Sequence, residues 1–189
     1  MGDFTPYMVN IFAWITFFVI WFLAARFVRR TKWSESTLGR LQYTLLLAFG
    51  CFLMMHDPRR HLIYGALYHS RIIAWIGSAM TIGGFALAIW ARFTLGRNWS
   101  GNVTLKQDHE LVRSGPYRFA RHPLYTGFLT ALLGTAVTAG TGDAMIGFAL
   151  CLLSCLIKMR KEETVMLQEF GDAYRQFKKE VPALVPFVY

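Results

Sequence analysis

Apolar residues along this 189-residue chain come in long runs, not in alternation. The runs at 7–28 and 72–93 each supply the roughly 20 mostly apolar residues that a helix needs to cross a hydrocarbon core of about 30 Å. A third run, 38–55, is a little short, and the apolar tail LIYGALY behind it either lies at the interface or lengthens the span. Beyond a polar stretch at 94–121 come two shorter runs, 124–140 and 144–159, separated by Thr-Gly-Asp, a tight-turn tripeptide that predicts a helical hairpin. The pattern is that of an all-α integral membrane protein with about five transmembrane helices. We expect one membrane domain over residues 1–189, with a three-span part at 1–93 and a part at 94–189 that carries the chemistry. The first run is too long for a signal peptide and has its arginines after it, so it is expected to stay as an anchor.

Composition agrees, with 54% hydrophobic against 16% charged residues. The formal net charge of +9 would suggest a nucleic-acid partner in a soluble protein. Here it follows from the positive-inside rule, and no nucleic acid is implied. Of the 20 Lys and Arg, 17 fall at or between the facing ends of the 7–28 and 38–55 runs, around the 94–121 stretch, or after residue 157. The other three, Arg59, Arg60 and Arg71, lie between runs two and three. That asymmetry puts the N-terminus outside and both long polar segments in the cytosol. Cys51, Cys151 and Cys155 sit inside apolar runs with neither the number nor the spacing of a disulfide framework or a metal site, so they are read as packing residues.

The candidate chemistry lies beside the fourth run, in YRFARHPLYTGF at 117–128. Pro123 suits the first turn of a helix, and the free N–H groups of that turn, with Arg121, would make a site for an anion. The preceding polar stretch is interleaved with Trp99, Val103, Leu105, Leu111 and Val112, so it should fold back on the helix ends, while Gly115-Pro116 makes a turn that aims Tyr117 at the helix start. The last run continues into a helix carrying Lys158, Arg160, Glu162 and Glu163. Lys158 with Glu162, and Arg160 with Glu163, stand one turn apart, as ordinary surface ion pairs would. Gly171 should end that helix and Asp172 cap a short successor.

From LGRNWS onward, about half the chain, HELVRSGPYRFARHPLYTG and KEETVMLQEFGDAYRQFKKEVPALVPF resemble the isoprenylcysteine carboxyl methyltransferase family in order and spacing. The N-terminal half is similar only in hydropathy. The resemblance implies S-adenosylmethionine as methyl donor, in a cytosolic pocket formed by the loop before helix 4 and the C-terminal helical segment. Carried over by position, it implies cofactor contacts from Asn102, His109, Glu110, Leu111, Val112, Tyr117, His122, Pro123, Leu124, Tyr125, Glu162 and Glu163. Where the family has an arginine for the acceptor carboxylate this chain has Lys158, with Arg160 two residues on, so these are the candidate catalytic cations. The implied partners are the bilayer and a lipophilic methyl acceptor such as a prenylated cysteine carboxylate.

The residue types suit that chemistry. Tyr117 and Tyr125 offer ring faces to a sulfonium or adenine, Glu162 an anion for an ammonium, and the Pro123 helix start a place for a carboxylate. A carboxylate acceptor, with a pKa of about 4, is already ionised and needs no general base. The alternatives are an NADPH-dependent membrane sterol or enone reductase, which also resembles RHPLYTG but would usually need a longer chain with more spans, a phospholipid amine methyltransferase, and a non-enzymatic membrane scaffold or lipid-binding protein that keeps the fold.

Overall fold

In a lipid-facing chain every backbone N–H and C=O needs an internal partner, and helices meet that demand within one segment. The computed structural model describes residues 5–26, 28–55, 62–68 and 70–184. Six helices follow in order: α1 (Pro6–Ala24), α2 (Thr37–Met55), α3 (Arg71–Leu95), α4 (Pro123–Ala139), α5 (Gly142–Phe170) and α6 (Asp172–Glu180). Helices α1, α2, α3 and α5 are long and apolar enough to cross a membrane. Helix α4 is apolar but has 17 residues, about 25 Å at 1.5 Å per residue. The five expected spans are therefore these helices, the fourth being short.

Small residues bring the helices together. A Cβ on Gly84 would lie 2.5 Å from the Gly127 carbonyl and the Ala131 amide, so α3 and α4 meet backbone to backbone, and Gly50 and Gly147 do the same for α2 and α5. Helix α1 leans on α3 through Phe17, stacked on Phe85 with ring centroids 4.3 Å apart. Trp14 ties it to α4 by donating its indole N–H to Thr135 Oγ1 at 3.1 Å. Helices α1 and α2 barely touch one another. The three cysteines are unpaired, and Cys151 and Cys155 pack in the core.

At one end, residues 62–68 do not lengthen α2, which stops at Met55; they fold onto the α4–α5 turn. The buried Asp143 carboxylate accepts the N–H groups of Leu62, Ile63 and Tyr64 at 2.7, 3.0 and 2.7 Å. Arg71 opens α3, whereas Arg59 and Arg60 lie outside the described residues. The other end holds the α1–α2 and α3–α4 connections, which pair as a two-stranded antiparallel ribbon, β1 (Thr31–Ser34) with β2 (Thr104–Lys106). The expected all-α chain thus carries a small β element where two loops meet. Val103 and Leu105 pack against Val165 of α5, so the polar stretch does fold back on the helix ends. Gly171, at φ +53°, closes α5 as expected, but it also serves as N-cap of α6, and Asp172 is the first helical residue instead of the cap.

Candidate functional site

The end of the bundle that carries the ribbon contains a cavity of about 400 Å³ among α1, α2, α4, α5 and the 98–122 segment, within the size range of small-molecule sites. Its walls change character along α5. The apolar lining includes Cys155 of α5 with Phe17, Phe18 and Trp21 of α1, Leu47 of α2 and Phe128 of α4. Lys158 comes one turn later, and Glu162 a further turn on faces the polar part. The lining therefore combines apolar residues of α1, α2 and α4, here called its apolar arm, with polar residues of the 98–122 segment and Glu162 of α5, here called its polar chamber.

Of the residues singled out in the sequence, the walls contain Asn102, His109, Glu110, Leu111, Val112, Tyr117, His122, Leu124, Tyr125, Lys158 and Glu162. The 3-10 turn Gly115–Arg118 places Tyr117, and its Gly115 sits at φ +57°, in the left-handed region that glycine enters without strain. Burial and the Glu162 carboxylate push the Tyr117 phenol up, so it stays protonated. Tyr125 donates its hydroxyl to Glu162 Oε1 at 2.7 Å, and His122 Nδ1 lies 3.9 Å from Glu162 Oε2. His109 Nδ1 accepts the Lys106 backbone N–H at 3.2 Å. Desolvation, with Arg29 and Lys106 nearby, lowers the His109 pKa despite the opposing Glu169 and Glu110.

Pro123, Arg160 and Glu163 are not in the walls. Pro123 starts α4 as predicted, but its ring is buried in the helix start. Arg160 points outward and is exposed. Glu163 makes no pair with Arg160: Oε1 meets Arg121 Nε at 2.9 Å and His122 Nε2 at 3.4 Å, and Oε2 meets Lys178 Nζ at 2.7 Å. The carboxylate is thereby a bracket that joins α5, the start of α4 and α6. Lys158 likewise leaves Glu162 alone and donates to the Gly101 carbonyl at 2.7 Å.

At the α4 start, where an anion site was expected, the Arg121 guanidinium and the two amides leading into the helix are taken by the chain itself. Arg121 N–H donates to Pro182 O at 2.8 Å, His122 N–H to Ala183 O at 2.9 Å, and Thr126 Oγ1 to Leu184 O at 2.6 Å. The Arg121 guanidinium also donates to the Lys178 and Val181 carbonyls. Residues 181–184 therefore form a strap across the helix start, and no free guanidinium remains there.

Several wall residues lie outside the quoted motifs: Phe17, Phe18 and Trp21 of α1, and Tyr43 and Leu47 of α2; Tyr174 of α6 lies within one that implies no role for it. Trp99 is held from behind by Arg92, whose guanidinium lies 4.2 Å from the indole centroid and donates to Ala24 O and Gly96 O, while Trp21 meets Trp99 edge-on at 5.1 Å. In the sequence the α1 and α2 residues are aromatic or aliphatic members of apolar runs, indistinguishable from those that face lipid.

The chain is similar to proteins of one kind. Residues 75–168 match the model of the isoprenylcysteine carboxyl methyltransferase (ICMT) family. A probable protein-S-isoprenylcysteine O-methyltransferase of Oryza sativa subsp. indica is 30% identical over 170 residues, which cover 88% of this chain and 87% of the relative. The Schizosaccharomyces pombe protein-S-isoprenylcysteine O-methyltransferase is 35% identical over 96 residues, 49% of this chain and 41% of that protein. Among solved structures, the eukaryotic intramembrane Ras methyltransferase ICMT superposes with a TM-score of 0.59 at 26% identity, over 78% of this chain and about half (53%) of that one.

Proposed function

Given that the chain belongs to the isoprenylcysteine carboxyl methyltransferase family, we propose that it methylates the carboxylate of a lipophilic acceptor, a prenylated cysteine first among them, with S-adenosylmethionine as donor. The observation that carries this reading is one cavity lined by both polar and apolar residues, with Lys158 in its wall. A soluble acceptor would need no apolar arm.

S-adenosylmethionine supplies an electrophilic methyl group on a sulfonium cation. The polar chamber suits it: the Tyr117 and Tyr125 rings offer π faces to a cation, and the Glu162 carboxylate, hydrogen-bonded to Tyr125, offers a negative charge. His109 to Val112 form the rim on the ribbon side. The strap at 181–184 lies over the α4 start, so the backbone amides of Arg121 and His122 are not free to take the donor's carboxylate. Lys158 holds the acceptor carboxylate as a point charge, Arg160 being turned away on the exposed face. No residue needs to act as base, because the acceptor is ionised beforehand. Positioning and exclusion of water are what the protein contributes.

The acceptor's apolar chain reaches the arm sideways from the bilayer between α1 and α2, which barely touch, past Phe18, itself 45% exposed. The basic connections at the cavity end put the chamber in the cytosol and the N-terminus outside. Mass spectrometry of ligands retained through mild purification separates the alternatives. S-adenosylmethionine or its demethylated product is expected; NADPH would point to the reductase. An acceptor panel in which only amino lipids were methylated would favour the phospholipid amine methyltransferase.

A further inference from the structure

Lys158 carries its charge on a flexible four-carbon stem, and a point charge aligns an acceptor only where something fixes it. Its ammonium has one hydrogen bond in the structure, to Gly101 O at 2.7 Å, and no carboxylate pairs with it among the described residues. What flanks it is aromatic: the Tyr43 ring centroid lies 5.8 Å from Nζ and that of Tyr125 5.7 Å, both within cation–π range. Each phenol donates to a carboxylate, Tyr43 to Glu35 Oε2 at 2.9 Å and Tyr125 to Glu162 Oε1 at 2.7 Å. These bonds fix the orientation of each ring.

Tyr43 is the half of this cage contributed by α2, and its ring centroid also lies 5.2 Å from Lys161 Nζ. It is 5% exposed, and Ser154 Oγ donates to its backbone carbonyl at 2.6 Å, which sets α2 against α5 at this level. Glu35, its partner, is anchored in turn by Lys161. Building on the methyltransferase reading, we propose that Tyr43 is the positioning residue for the acceptor-binding cation: its ring, with that of Tyr125, holds the Lys158 ammonium in the cavity wall. Of the three N–H groups, one goes to Gly101 and two are left for an acceptor oxygen. Tyr43 lies in α2, outside the matched residues 75–168, so the N-terminal half contributes to acceptor binding as well as anchoring.

The test uses the full chain in detergent with Tyr43→Phe, which keeps the ring, and Tyr43→Leu, which removes it. Tyr43→Met replaces the latter if it is not monodisperse. The first readout is independent of any enzymatic activity: acylation of Lys158 by an amine-reactive ester, mapped by mass spectrometry and normalised to the exposed Lys179. Loss of the ring should speed Lys158 modification at least about threefold, and Tyr43→Phe should leave it unchanged. The second is methyl transfer to a prenylated cysteine. The ring-less variant should lose about tenfold in kcat with S-adenosylmethionine affinity within about twofold, and Tyr43→Phe should rescue most of the loss. Unchanged Lys158 reactivity in a folded ring-less variant, or a Phe variant as impaired as the Leu variant, overturns the proposal. If Lys158 reactivity responds as stated while the wild type binds no S-adenosylmethionine, the cage stands and the methyltransferase reading fails.

Discussion

His109 accepts a backbone N–H on Nδ1, which only an unprotonated ring nitrogen can do. Burial keeps its pKa below the usual value of about 6.5, so as pH falls from 6.5 toward that lowered value the unfolded chain takes up a proton that the folded chain does not. Stability should therefore decline on acidification through that window. Thermal scans at pH 7 and 5.5 should show a drop in Tm that is smaller in His109→Asn, whose amide oxygen replaces Nδ1 as acceptor. The adjacent glutamates should behave differently. Glu163→Ala strands the Arg121 guanidinium, whose side chain is 9% exposed, and should cost about 3 kcal/mol in unfolding measurements. Glu162→Gln should leave stability nearly intact and weaken S-adenosylmethionine binding in titration calorimetry. The sequence places Lys158, Glu162 and Glu163 on one helix, yet not their partners. Helical spacing suggested pairs within α5, while the actual partners of Glu163, Arg121 and Lys178, come from α4's approach and α6, because a half-buried carboxylate is satisfied from every element packed around it.

At the scale of elements, the helices were legible because hydrocarbon demands long apolar runs, and Pro123, Gly115 and Gly171 mark their ends by backbone chemistry that few other residues share. The ribbon was not. Strands of four and three residues drawn from loops 70 residues apart carry no periodic signal of their own, and their pairing is visible only once both helix ends are in place. The 62–68 segment was half legible: its hydropathy fits an interface, but nothing local announces Asp143 as the acceptor for three of its N–H groups. A topology probe belongs on this segment, since residues 140–143 are buried beneath it. Cysteine at Ile63, which is 56% exposed, should react with an impermeant thiol reagent from outside only; labelling from the cytosolic side alone would invert the orientation. Helix contacts give a second test. Gly127→Leu would drive a side chain into the α3 backbone at Ala88 and Gly84, which cannot move aside, and should lower stability by about 1–3 kcal/mol or prevent assembly.

For the whole molecule, the family motifs account for the polar chamber and leave the apolar arm unexplained. Phe17, Phe18, Trp21, Tyr43 and Leu47 come from the half in which no motif stands out, although the Oryza relative aligns over 88% of the chain; there a residue facing an apolar cavity and one facing the bilayer obey the same composition rule. Under the proposed function, the arm decides what kind of acceptor Lys158 receives. Lys158→Ala should lower turnover at least about tenfold, the equivalent of about 1.4 kcal/mol of transition-state stabilisation, with cofactor affinity barely changed. Arg160→Ala, on the exposed face, should do little. The most direct measurement is transfer of isotope-labelled methyl from S-adenosylmethionine to a prenylated N-acetylcysteine by the purified chain in lipid nanodiscs. The expected product is a methyl ester, its label released as volatile methanol by mild base and absent when the acceptor carboxylate is amidated. Base-stable label on amino lipids, or no transfer to any lipophilic carboxylic acid by a folded protein, would contradict it.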